Sequence, residues 1–199
     1  MAEASDNRQP LSKNQLGIAV LVLVLLVAVG LGVYFATKSS GKKGTGGTTG
    51  KYHAITARII TAGQLKSEAR TLGQQFYWAG PQRGYSYEFR RTVQGYIFVR
   101  YLPNGLHAGA EGDFLDIATY PFTQAVAGIK DQAKKAKNKG LNAKVIRGRD
   151  GSYIYVDPKR PRTVYMAFPG INVEVEIFGQ SPVDAVRLAR SGNVSLVIH

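Results

Sequence analysis

The chain has 199 residues, 44% of them apolar, no cysteine and a formal net charge of +13. That apolar content excludes a wholly disordered chain. The lack of cysteine excludes a disulfide scaffold, a thiol nucleophile, an iron–sulfur cluster, a zinc ribbon and a lipoprotein anchor. Three histidines, His53, His107 and His199, leave little for a metal site or a Ser–His–Asp triad, and no cofactor is expected.

A polar tail, residues 1–15, precedes an apolar segment at 16–37. Within it Leu16 to Ala36 carries no charge over 21 residues. At about 1.5 Å per residue this helix covers about 30 Å, the hydrocarbon thickness of a bilayer. Tyr34 and Phe35 stand at one end, where amphipathic rings favour the interface. A cleaved signal peptide is the competing reading. Its apolar region is usually about 7–15 residues and ends in a small-x-small site. This run is longer, and Val33-Tyr34-Phe35-Ala36 lacks that site, so an uncleaved single-pass span is expected. Arg8 and Lys13 before the span face Lys38, Lys42, Lys43 and Lys51 after it. This bias weakly places the C-terminal side inside, but a following domain can translocate regardless of charge.

Residues 38–51 read as a flexible linker. Ser39 to Lys51 holds five glycines among 13 residues, with a coil reach of roughly 20 Å. Ser40 and Lys43 formally match a Ser-x-x-Lys nucleophile motif, but nothing in such a linker would position a nucleophile.

Residues 52–199 form a soluble domain with 20 Lys/Arg against 11 Asp/Glu, net +9. Thr61 to Leu72 predicts a helix with Leu65, Ala69 and Leu72 on one face and Gly73 at its end. Phe76 to Trp78 predicts a short strand. Tyr85 to Arg91 and Tyr96 to Leu102 predict a hairpin through Thr92–Gly95, and Leu115 to Tyr120 a further strand. Phe122 to Lys139 predicts a helix with Ala125, Ile129, Ala133 and Ala136 at helical spacing and a lysine-rich end that suits the dipole. Strands follow at Lys144–Arg147, Ser152–Val156, Val164–Phe168 and Ile171–Phe178. Ser181 caps a helix that starts at Pro182 and ends before Gly192, and Val194 to Ile198 predicts a last strand. The expected class is α+β, with a mainly antiparallel sheet and about three helices. Gly95–Pro103 and Gly151–Pro158 are similar, which suggests two repeated α-plus-hairpin units.

At Tyr77-Trp78-Ala79-Gly80-Pro81 the chain resembles an uncharacterised group of bacterial membrane proteins with one N-terminal span and a small extracytoplasmic domain. Tyr87–Thr92, Val99–Pro103 and Thr119–Pro121 belong to the same resemblance. It implies topology, with the C-terminal domain outside the cell membrane, and no activity.

Several groups invite a chemical reading. The acidic loop Glu111–Asp116 lacks the carboxylate spacing of an EF-hand, so a solvated loop is expected. Glu174 and Glu176 alternate with valines, which puts both carboxylates on one face of a strand, roughly 7 Å apart. Such a pair would suit a membrane-tethered hydrolase of the paired-acid type; the alternative is a polar face turned to water or to cross-strand arginine. Aromatics between Tyr77 and Tyr101, interleaved with Arg83, Arg90, Arg91 and Arg100, would make a stacking surface for sugars or single strands, or else ordinary strand cores. Finally Lys134, Lys135, Lys137 and Lys139, with Arg147 and Arg149, form a basic cluster. Asp131 is the one acid between Ile117 and Arg149. The expectation is a non-enzymatic domain that holds anionic lipid or wall polymer through this cluster. A cytoplasmic, nucleic-acid-binding domain is the inverted alternative.

Overall fold

A computed structural model describes residues 57–198. The span and linker expected at 16–37 and 38–51 lie outside the described residues, as do Ser40, Lys43, His53 and His199. Among the described residues no helix is long and apolar enough to cross a membrane.

The chain runs β1 (Arg58–Ile60), α1 (Ala62–Leu72), β2 (Tyr77–Trp78), β3 (Tyr85–Arg91), β4 (Ile97–Pro103), β5 (Asp116–Pro121) and α2 (Ala125–Asn138). It continues through β6 (Lys144–Arg147), β7 (Tyr153–Val156), β8 (Thr163–Ala167), β9 (Val173–Phe178), α3 (Pro182–Ser191) and β10 (Ser195–Leu196). Eight strands make one sheet in the order β1-β3-β4-β5-β9-β8-β7-β6, and β2 pairs with β10 in a separate ribbon. Every pairing is antiparallel. The fold is therefore α+β, as the successive strand patterns joined by short turns predict.

Two meanders build the sheet. β3, β4 and β5 run inward from one edge, β6 to β9 from the other, and their last strands meet with Ala118 opposite Glu176 and Tyr120 opposite Glu174. One face is covered by α1, the β2–β10 ribbon and α3. There Leu65, Ala69, Ala185 and Ala189 join Val99, Ile117, Val175 and Ile177 in the main core. Each of the larger side chains contributes about 1.5–3 kcal/mol by leaving water. On the other face α2 covers β6, β7 and β8, and Ala125, Ile129, Ala133 and Ala136 meet Ala143, Tyr155, Tyr165 and Ala167.

The helix ends follow from local chemistry. Thr61 and Gln64 form a reciprocal capping box on α1 (3.2 and 2.8 Å), and Gly73 closes it in the left-handed region. Ser181 accepts from the Asp184 N–H, Pro182 opens α3, and Gly192 closes it at φ 79°. α2 starts at Ala125, three residues later than the expected Phe122. The Phe122 N–H instead donates to the Asn172 carbonyl (2.9 Å), and Gln124 is left-handed at φ 57°.

β1 has no alternation in its three residues to mark it in the sequence; it pairs along β3, with Ile59 opposite Glu88. The aromatic run is mostly core: Tyr77, Trp78, Tyr87, Phe89, Phe98 and Tyr101 are buried, Tyr96 is half-buried and Tyr85 is exposed. The similar segments Gly95–Pro103 and Gly151–Pro158 fall on β4 and β7. Counted outward from β9, β4 and β7 hold equivalent places in the sheet order, and α1 and α2, which precede their hairpins, cover opposite faces, the arrangement that a twofold axis along β9 would produce.

Candidate functional site

The chemistry-bearing residues gather on the two sides of α2. Its inward side is small, three alanines and Ile129, so the helix lies close to the sheet. Its outward side carries Lys130, Lys134, Lys135 and Lys137, and Lys139 follows its last residue, all exposed. Lys130, Lys134 and Lys137 recur at spacings of four and three and share one face. No ion pair among the described residues involves any of these lysines, Arg147 or Arg149.

Tyr153 ties this face to the sheet edge. The Lys130 Nζ lies 4.4 Å from the centre of its ring, and the Arg147 guanidinium carbon lies 4.0 Å from it. Both contacts are within cation–π range. Arg147 comes to the α2 side because it alternates with Ile146, which packs against the opposite core. The structure thus joins Arg147 to the lysine face through Lys130. Arg149 instead lies beside the C-terminal end of α3, its Cβ 3.8 Å from where a Cβ on Gly192 would stand. Sequence spacing identifies the lysines but not Tyr153, whose neighbours depend on the β6–β7 register, Arg147 opposite Tyr153.

The acid pair sits under and beside α2. Glu174 and Glu176 do share a face, but not one turned to water. Glu174 has no exposed surface. Its Oε1 has no hydrogen-bond partner, and its Oε2 meets the Gln132 side-chain amide of α2 at 3.5 Å. Burial pushes its carboxyl up to about 8, and the charge of Glu176 adds to the rise. Glu176 accepts from the Tyr120 hydroxyl at 2.8 Å and from Arg160 at 3.0 Å. Burial raises it too, while Arg160 and the Tyr120 hydrogen bond pull it back. Asp116, further along β5, is raised by burial to about 6 and drawn down by Arg90.

This arrangement keeps both glutamates inside the domain. One has no surface to offer a substrate, and the other is occupied by a tyrosine and an arginine. Arg160 comes from the proline-broken loop between β7 and β8, so sequence alone gives no signal for its contact with Glu176. In the Glu111–Asp116 segment, Asp113 pairs with Arg162 at 3.0 Å and Asp116 opens β5. His107 is exposed in a loop. Among the described residues no group of three or more His, Cys, Asp or Glu side chains could hold a metal ion.

The chain matches no protein-family model, no curated protein and no solved structure.

Proposed function

We propose that this chain is a single-pass membrane-anchored protein whose basic α+β domain binds anionic polymer or lipid at the membrane or cell-wall surface. The observation that carries this reading is the outward face of α2: four exposed lysines, with Lys139 just beyond its end, extended to the sheet edge by Arg147 across Tyr153. Adjacent like charges without acidic partners cost a helix stability, and an anionic partner removes that cost. The apolar run at 16–37 supplies the anchor. The burial of Glu174 and the engagement of Glu176 favour this binding role over the paired-acid hydrolase.

The test uses the full chain in nanodiscs of neutral lipid. Its binding to a soluble polyglycerol-phosphate polymer is measured over a salt series, beside anionic vesicles and single-stranded DNA. Affinity for polymer or anionic vesicles that falls steeply with salt supports the reading. An affinity indifferent to salt overturns it, and strong preference for DNA transfers the face to the nucleic-acid alternative. Protease added to intact cells reads the orientation: cleavage of the C-terminal domain from outside agrees with an extracytoplasmic position.

A further inference from the structure

We infer that α2 is a releasable cover whose seating on the sheet is governed by protonation of Glu174: the helix docks over the neutral acid and loosens when the acid ionises. The geometry is specific to this helix. Glu174 is wholly buried on β9, next to the strands that α2 covers, and α2 offers it a single polar group, Gln132, at 3.5 Å. The neighbours on the sheet are Tyr120 and Ala167, directly opposite on β5 and β8, and Tyr165, one step along β8. On its own strand stands Glu176, whose partners are Tyr120 and Arg160. The charged residues of α2, Lys130, Asp131, Lys134, Lys135 and Lys137, are all exposed. Among the described residues no cation forms an ion pair with Glu174. An ionised Glu174 would therefore be a buried charge without compensation, a costly state.

Of the three described helices, α2 is the least secured at its N-terminus. α1 and α3 each have a side-chain N-cap. α2 has no side-chain cap and a left-handed Gln124 before it. The stress placed on the sheet by Glu174 is thus relieved most readily by moving α2.

The sign follows from linkage. With α2 seated, burial holds the Glu174 carboxyl near 8; with α2 lifted, the group returns towards its ordinary value of 4.5. The lifted state binds fewer protons between these values, so seating is favoured below about pH 4.5 and is lost progressively as pH rises towards 8.

Hydrogen–deuterium exchange on the full chain in nonionic detergent tests this, with each rate corrected for intrinsic exchange. Peptides over 125–138 should lose at least about tenfold protection between pH 5.5 and 8. Peptides over α3 should hold theirs, and Glu174→Gln should flatten the α2 profile. Constant α2 protection, a fall shared equally by α3, or a fall that survives Glu174→Gln would each overturn the inference. Should the glutamine variant fail to fold, the native chain still decides. The infrared band of a protonated carboxyl, read against an Asp116→Asn variant to remove that buried acid's own contribution, must disappear over the pH range in which α2 loosens, and a band unchanged through that range would refute the coupling.

Discussion

The Tyr120 hydroxyl donates to the Glu176 carboxylate across the β5–β9 seam, 2.8 Å from oxygen to oxygen. It does so where the two meanders join, and Arg160 binds the other carboxylate oxygen. Burial and the neighbouring acid keep the phenol protonated well above its ordinary range, so it remains a donor. Tyr120→Phe removes that donor and leaves the ring's packing against Tyr96 and Phe98. A hydrogen bond to a charged group is worth about 1.5–3 kcal/mol, and the variant should lose about that much stability at pH 8. Because the bond favours the ionised carboxylate, the loss should shrink as Glu176 protonates in acid. Urea unfolding of both proteins at pH 4.5 and pH 8 checks this, and equal losses at the two values would contradict the assignment.

Ile129 is the one large side chain that α2 buries; Ala125, Ala133 and Ala136 make up the rest of its buried face. Truncating an isoleucine in such a place costs about 2–5 kcal/mol, transfer and cavity together. Ile129→Ala should therefore approach the upper half of that range. Chemical denaturation gives the total, and hydrogen exchange should show α2 losing protection before α3.

Gln124 precedes α2 at φ 57°, the one residue other than glycine with a positive φ among those described. Its side chain makes no capping hydrogen bond, so replacing it sacrifices little. A left-handed conformation costs an ordinary residue about 1–2 kcal/mol, part of which glycine returns through its freer unfolded chain. Gln124→Gly should raise stability by about 0.5–1 kcal/mol. Gln124→Ala should give no gain. A thermal melt that ranks alanine with glycine would show that the backbone is not strained there.

What could be read in the sequence was local. Thr61 with Gln64, Ser181 with Pro182, and the glycines at 73 and 192 specify two helices within a few residues each. The β3–β4 hairpin follows from alternation around Thr92–Gly95, and its register places Phe89 opposite Val99. The same alternation put Glu174 and Glu176 on one face. It said nothing of what covers that face, because Gln132 lies 42 positions away from Glu174 along the chain. Arg160 and Tyr120 reach Glu176 through contacts of the same nonlocal kind. Alternation also failed to tell a wet face from a dry one: Glu88 sits at a polar position yet is buried, paired with Arg100 at 3.3 Å. The lysine face was legible because helical spacing is short-range. Its extension through Tyr153 was not, because that depends on where β6 and β7 meet α2.

The lysine face should trade stability against binding. Lys130, Lys134 and Lys137 repel one another along one side of α2, and no acid among the described residues pairs with them. Like-charge neighbours at these spacings cost about 0.2–0.5 kcal/mol per pair. Replacing Lys134 and Lys137 by glutamine keeps the chain length and helix propensity while removing repulsion with Lys130 and with each other. The double variant should then be more stable than the parent by about 0.5–1 kcal/mol at low salt, with the gain fading as salt screens the charges. Its affinity for an anionic polymer should fall, and the dependence of that affinity on salt should become shallower because fewer counterions are released. Replacing Arg149, which stands apart beside α3, should leave both quantities nearly unchanged. Opposite movement of stability and affinity in one variant separates a binding face from a merely solvated one. A solvated face predicts the stability gain without any loss of affinity, and that result would remove the proposed role of α2.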